Sequence, residues 1–455
     1  MRNRIVLVLL LAAAAMVTLG AAAVERFPPP DLGANYVFPH SNQAPAREGW
    51  KGWMDVGALV AALALAAAIA LHWRSRRALV WLSIASLAYF GFYRKGCVCP
   101  IGAIQNVAQA LFDSSFVLPI GVILFFALPL LVALLFGRVF CGGVCPFGAL
   151  QELLLFRPVK VARWLDRGLS RFRYFYLGLA VLLAATGSGY LICEYDPFVS
   201  LFRMAGRFHV WIWSVALLAS ALFIGRPYCR YLCPYGALLG VFSRFSLRRV
   251  TITPDRCVVC GLCHDACPFG AIRPAEARQA KVAGGKPADG KRAEAKSASR
   301  LASFATFVLI FALPVAGWFA GRAVAPALSR DHYIVQVAER LYLEESRGLE
   351  ERTLQSTAFR ATGGMPVERL YEQAREAQGQ FAVGAPLFGC AAGLIAAITI
   401  LLIARDRRRD EYEADRAHCL SCGRCYLSCP VERDRLGLIE PADRSRLGLG
   451  EENVK

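Results

Sequence analysis

Cys257, Cys260, Cys263 and Cys267 are followed by Pro268, and Cys419, Cys422, Cys425 and Cys429 by Pro430, so the chain carries C-x2-C-x2-C-x3-C-P twice. Two-residue gaps turn three sulfurs toward one point. This is the thiolate pattern of bacterial 4Fe-4S ferredoxins, in which the fourth cysteine crosses to the other cluster. The expected ligand sets are Cys257, Cys260, Cys263 with Cys429, and Cys419, Cys422, Cys425 with Cys267. Gly261 and Gly423 permit close backbone approach and N–H donation to the cubes. Zinc sites also use CxxC halves, but they do not need three evenly spaced cysteines followed by Cys-Pro.

Three other segments share a shorter pattern: Cys97-Val98-Cys99-Pro100-Ile101-Gly102-Ala103-Ile104, Cys141-Gly142-Gly143-Val144-Cys145-Pro146-Phe147-Gly148-Ala149-Leu150 and Cys229-Arg230-Tyr231-Leu232-Cys233-Pro234-Tyr235-Gly236-Ala237-Leu238. Proline after the cysteine suits the first turn of a helix, which places the thiols at helix N-termini, where the dipole favours thiolate. Metal ligation or redox chemistry suits such thiols; structural thiols without metal are the alternative. Cys141, Cys145, Cys229 and Cys233 fall at the inner ends of their spans and are candidates for one metal or redox site beneath the ferredoxin module. Cys97 and Cys99 fall on the opposite face, as do Cys193 and Cys390, and these four are candidates for an outer metal or redox site. A disulfide is the alternative for Cys97 and Cys99, and packing for Cys193 and Cys390.

The elements that must hold these thiols are membrane helices. Of 455 residues, 56% are hydrophobic and 19% charged, against about a quarter charged in a soluble domain, which excludes an ordinary soluble globule. Sixteen cysteines, clustered at ligand spacing, speak for metal over disulfides. The net charge of +18 gathers beside apolar runs, where it sets orientation and does not call for a nucleic-acid partner. Apolar runs near the spanning length of ~20 residues occur at about 5-23, 54-72, 78-93, 116-136, 174-192, 210-225, 301-321 and 385-404. The first, after Arg2 and Arg4, reads equally as a signal peptide.

With 24-53 outside, the Arg-rich loops around Arg74, Arg157 to Arg173, Arg244 to Arg300 and Arg405 to Arg409 all fall inside, a consistent positive-inside pattern. The expected fold is an all-α polytopic protein of about eight transmembrane helices in a bacterial inner membrane, with a small α+β dicluster ferredoxin module on the cytoplasmic side. Its expected segments are a signal peptide or first span at 1-23, a periplasmic stretch at 24-53, a transmembrane core at 54-249, a first ferredoxin half at 250-274 and a flexible basic linker at 275-300. A span at 301-321, a periplasmic helical cap at 322-384, a span at 385-404 and a second ferredoxin half with tail at 405-455 complete it.

These motifs resemble the membrane iron-sulfur proteins of the NosR/NirI and NapH type, known from denitrification and periplasmic nitrate reduction. The resemblance covers roughly 90-270 and 415-435 and rests on the C-x3-C-P motifs at Cys141 and Cys229, on Glu194-Tyr195-Asp196-Pro197-Phe198 and on the two ferredoxin motifs. It implies electron transfer between the quinone pool or cytoplasm and a periplasmic nitrous oxide or nitrate reductase system. The chain departs from NosR in lacking the large N-terminal flavin domain, and 322-384 holds no flavin attachment sequence, so no covalent flavin is expected here.

The leading expectation is an electron carrier or oxidoreductase subunit holding two 4Fe-4S clusters, with one or two further centres at the CxxxCP and CxCP motifs or a quinone completing the path. Its partners would be lipid, a periplasmic reductase or flavoprotein, and other membrane electron-transfer subunits. The alternative is a CcoG-like iron-sulfur copper reductase or oxidase assembly factor, against which stands the absence of a C-terminal immunoglobulin-like domain. A cluster-state sensor finds no signalling domain. Asp196, near Cys193, is the candidate for proton or quinol handling, with a structural role at a helix entry as its alternative. His264 and His418 beside cluster cysteines read as hydrogen-bonding groups.

Overall fold

The computed structural model describes residues 49–96, 100–114, 116–204, 206–252, 257, 260–273, 294–347, 353–362, 366–404 and 412–439. The expected signal peptide, Cys97, Cys99 and most of the basic linker lie outside them.

The described chain is overwhelmingly helical and forms two compact units. In the larger, α1 (Gly49–Trp73) is followed by α2 (Arg76–Ser86), which continues as a π turn through Tyr93. After them come α3 (Pro100–Phe112), α4 (Ile120–Phe136), α5 (Val139–Gly143), α6 (Pro146–Leu154), α7 (Arg163–Ala185), α8 (Leu191–Tyr195), α9 (Pro197–Arg203), α10 (Phe208–Ala221) and α11 (Pro234–Phe242). Four of these, α3, α6, α9 and α11, open on proline. Its fixed φ fits the first turn, and its missing N–H is one the helix would leave unpaired there in any case. In α6 and α11 the preceding cysteine caps the start: the Gly148 N–H donates to Cys145 Sγ at 3.4 Å, and the Gly236 N–H to Cys233 Sγ at 3.2 Å.

Further along lie α12 (Leu262–Ala266), β1 (Ile272–Arg273), α13 (Glu294–Ser329), α14 (Tyr333–Arg347), α15 (Leu354–Thr362), α16 (Val367–Ala404), β2 (Glu413–Ala414), α17 (Arg424–Ser428) and α18 (Pro430–Arg435). The helices α13 and α16 run past the segment bounds expected at 321 and 385: α13 continues through Ala323, Ala325 and Ala327, and α16 begins at Val367 in a stretch of helix-forming Glu, Arg, Gln and Ala. The smaller unit has Tyr333–Glu376 as its described part. There Glu344, almost fully buried, accepts from Ser356 at 2.7 Å and pairs with Arg340 and Arg360.

Among the described residues, three helices are long and apolar enough to cross a membrane, over Gly49–Trp73, Val308–Ser329 and Val367–Leu401, and α4 and α10 are shorter apolar helices. Two expected spans are not plain α-helices: 78-93 is a helix that continues as a π turn, and 174-192 is the end of α7, a turn and the start of α8. The side chains of Phe311, Val315 and Phe319 stand exposed along α13, a surface suited to lipid. On its other side α13 meets α16 through Gly317 and Gly321, set against Gly389 and Ala385, while Gly393 lies on the Leu313 carbonyl. Small residues four apart let two membrane helices touch backbone to backbone. Replacing Gly389 by leucine would force its side chain into the Gly317 carbonyl. We expect a loss of at least about 2 kcal/mol, read as a lowered thermal midpoint in detergent; an unchanged midpoint would contradict this packing.

Candidate metal centres

The two ferredoxin motifs fold alike. Gly261 (φ 79°) and Gly423 (φ 77°) lead into α12 and α17, and the left-handed backbone at each is one that glycine adopts without strain. The strands β1 and β2 pair antiparallel, with Ile272 opposite Ala414, and join the halves despite the long stretch of chain between them. Cys267, Cys419, Cys422 and Cys425 line one cavity with Val250, Phe269 and Ile272. Cys263 lies within electrostatic reach of Cys260, Cys429 and Cys257. Each gathering thus draws three cysteines from one motif and one from the other. His264 and His418 face Asp265 and Asp415 at 3.4 and 3.0 Å.

Cys141, Cys145, Cys229 and Cys233 line a second cavity, closed by Phe90, Phe125, Phe198 and Tyr235. Every one of these sulfurs has an N–H donor. Arg138 Nη2 reaches Cys141 at 3.7 Å and Gln151 Nε2 reaches Cys229 at 3.5 Å, while Gly148 and Gly236 serve Cys145 and Cys233. Arg138 and Arg226 are fully buried. They cross over: Arg138 lies 3.1 Å from where a side chain on Gly236 would begin, and Arg226 lies 3.2 Å from the same point on Gly148. Arg226 donates to the Cys141 carbonyl and pairs with Glu152 at 3.1 Å. The Arg138 head meets a sulfur and the Ala417 carbonyl (3.0 Å). A guanidinium so deeply buried calls for negative charge nearby; Glu152 supplies it to Arg226, and ionised thiols in the cavity would supply it to Arg138. Among the described residues no three His, Cys, Asp or Glu close to the spacing of a single ion, whereas thiols set around a cavity suit a larger cluster.

The ferredoxin module sits directly on this site. A Cβ on Gly142, between Cys141 and Cys145, would stand 2.5 Å from the Leu420 carbonyl, so only glycine admits the loop that carries Cys419 and Cys422. Glu152 on α6 binds Arg424 of the second motif (2.5 Å), Arg226 (3.1 Å) and Arg76 (3.0 Å). Arg74 at the end of α1 pairs with the buried Glu432 at 2.6 Å and covers the Tyr426 ring. Burial alone would raise the Glu152 carboxyl; its three guanidiniums overcome that and draw it down to about 2.

Glu152, Gln151, Arg138 and Arg226 were not among the residues singled out from sequence. A signal for two of them exists: Arg138 and Arg226 each stand three residues before the first cysteine of a repeat, as Arg94 stands before Cys97. Gln151 and Glu152 carry no comparable mark, because their partners come from distant repeats.

Pro100 and Ile101, which follow Cys99, line the four-cysteine cavity. Cys193 lies 3.7 Å from the position of a Cβ on Gly102. Asp196 is buried and accepts from the Tyr228 hydroxyl. Cys390 stands apart, in the α13–α16 contact beside Gly317.

The 4Fe-4S binding domain family matches residues 118–163 and 207–253, and a second 4Fe-4S binding domain family matches 250–273. The chain is 35% identical over 156 residues to the putative electron transport protein YccM of Escherichia coli K12, covering 30% of this chain and 43% of YccM. It is 38% identical over 159 residues to the protein NirI of Paracoccus denitrificans, covering 31% and 23%. An uncharacterized protein of Methanocaldococcus jannaschii, MJ0750, shares 32% over 193 residues, covering 40% of this chain and 77% of that one. The chain belongs to the NosR/NirI-type family of membrane 4Fe-4S electron-transfer proteins. No solved structure matches it. The NosR/NirI-type region it shares with YccM and NirI is less than half of either relative's length.

In this NosR/NirI-type chain the Glu152 carboxyl is held below its ordinary value of 4.5, so folding favours its ionised form. Its contribution is complete above that value and is lost as pH falls from there through about 2. Docking of the ferredoxin module is therefore expected to be insensitive to pH between roughly 5 and 8. Glu152→Ala strands three arginines and should cost about 3–5 kcal/mol. Protease accessibility of residues 412–439 checks both statements, with wild-type protection in Glu152→Ala as the contrary result.

Proposed function

We propose that this protein passes electrons between the cytoplasm or quinone pool and a periplasmic reductase system of the nitrous oxide or nitrate type, with a separate periplasmic flavoprotein or other partner as the outer contact. In this reading about eight helices span a bacterial inner membrane and the ferredoxin module faces the cytoplasm. Cys257, Cys260, Cys263 and Cys429 hold one 4Fe-4S cluster, and Cys419, Cys422, Cys425 and Cys267 the other. Cys141, Cys145, Cys229 and Cys233 hold a third iron-sulfur centre, and Cys97, Cys99 and Cys193 belong to an outer site.

The observation that carries this reading is the seat of the Leu420 carbonyl on Gly142, which supports a short step from the second ferredoxin cavity to the four-cysteine cavity. Bound clusters supply one-electron storage; the chain's residues supply everything else. Arg138 and Gln151 hold sulfurs and offset their charge, since hydrogen bonds to sulfur and burial set the potential of such a site. Arg226 touches the Cys141 carbonyl and lies within electrostatic reach of Cys422, and so bridges the two cavities.

Spectroscopic redox titration and iron quantification of anaerobically purified protein test the third centre. Cys145→Ala and Cys233→Ala should each lose one signal, and up to about four irons per chain, while the ferredoxin signals persist. Retention of every wild-type signal in both variants would contradict it.

A further inference from the structure

The first half of α7 is basic and its second half apolar. Arg167, Arg171 and Arg173 precede Tyr174, and from Phe175 through Ala185 the helix holds no charged residue. Three guanidiniums gather where the character changes. Arg173 Nη2 donates to the Tyr174 hydroxyl at 3.4 Å, and Arg171 and Arg244 lie within electrostatic reach of the same group. Arg244 comes from the turn that ends α11, so two elements contribute.

Such a gathering of like charge calls for compensation, and the protein does not provide it. Arg173 is 1% exposed and lies against α11, its Nη2 3.5 Å from where a side chain on Gly240 would begin. Its Nε and that of Arg171 are buried without a hydrogen-bond partner, and a buried donor left unpaired is costly. Among the described residues Arg171, Arg173 and Arg244 make no ion pair. Asp415 is within electrostatic reach of Arg171, but its Oδ1 already accepts from the Ala417 and His418 N–H groups and faces the His418 ring.

Apolar side chains flank the same place. Phe172 and Phe175 on α7, and Phe242 and Phe245 at and after the end of α11, are exposed; Phe175 packs on Phe388 of α16 with ring centroids 5.0 Å apart. Arginine beside exposed aromatic surface, where a helix turns from basic to apolar, suits the headgroup level of a bilayer. Guanidinium forks match phosphate oxygens, and the Tyr174 hydroxyl, which accepts from Arg173, keeps its own proton to donate.

We propose that Arg171, Arg244 and Tyr174 bind the phosphate of an anionic phospholipid, with Arg173 adding charge from behind and the exposed phenylalanines beside the acyl chains. The lipid sits at a junction. Arg416, three residues before Cys419, donates to the Arg244 carbonyl at 3.3 Å, and its own carbonyl accepts from Ser243 at 2.9 Å. Bound lipid therefore fastens α7, α11 and the second ferredoxin half to the membrane surface.

The test uses full-length protein in neutral detergent with added phosphatidylglycerol, phosphatidylcholine or inorganic phosphate, bound lipid being counted by native mass spectrometry and the thermal midpoint recorded. Phosphatidylglycerol should be retained and raise the midpoint; the zwitterionic lipid and free phosphate should do neither. Arg171→Gln and Arg244→Gln should each weaken retention about tenfold or more, the loss of a charge-assisted hydrogen bond. Tyr174→Phe, which removes only the hydroxyl, should weaken it less, and Arg157→Gln, on an exposed loop, should leave it unchanged. Wild-type retention in both Arg171→Gln and Arg244→Gln would overturn the proposal. So would an equal loss in Arg157→Gln, which marks diffuse attraction, equal retention of phosphatidylcholine, or equal stabilisation by phosphate alone, which marks a soluble ligand. The iron-sulfur reading stands apart, because every cluster signal should persist in these variants.

Discussion

One buried carboxylate holds the molecule's two chemistries together. Glu152 leaves the helix that begins beside Cys145 and meets Arg424 from the ferredoxin module, Arg226 from the approach to Cys229 and Arg76 from the second helix of the core. Three guanidiniums around one carboxylate would be a poor source of stability if any were left unpaired, since breaking such a set exposes the desolvation cost of what remains. Completed, it fixes the orientation of a soluble-type module against a membrane site. The contact of Gly142 with the Leu420 carbonyl works only in that orientation.

Around this clamp the core is built by repetition. A cysteine or aspartate before proline caps each of three short helices, and glutamine or arginine from one copy serves the sulfur or backbone of another. Such exchange explains why the helices can be so short. An isolated helix of nine residues is not stable in itself; here each is fixed by its cap and by the copy it faces.

The ferredoxin motifs and the Cys-Pro repeats were legible because their spacing alone states a ligand geometry, and β1–β2 pairing joins two halves that the linear order keeps far apart. Arginine loops speak to sidedness and not to which helices meet in the core. Pro100 and Phe198 border the same cavity as Cys141 and Cys233, because short proline-led helices turn inward where a hydropathy profile sees only span and loop. Gln151 and Glu152 were invisible for a different reason: their roles depend on partners from Arg76, Arg226, Cys229 and Arg424, and no local pattern encodes that meeting. Asp196 is legible as a carboxylate near Cys193, but its burial and its bond from the Tyr228 hydroxyl depend on a partner distant in sequence.

The central claim is that charge passes from the ferredoxin module into the membrane through the contact at Gly142. Flash reduction of the ferredoxin clusters in wild-type and Gly142→Val protein, with absorbance followed at low temperature-trapped intervals, measures that passage. The arrangement predicts that both proteins retain all their centres, while electrons reach the four-cysteine site promptly in the wild type and far more slowly in the variant. Equal rates in the two would contradict it.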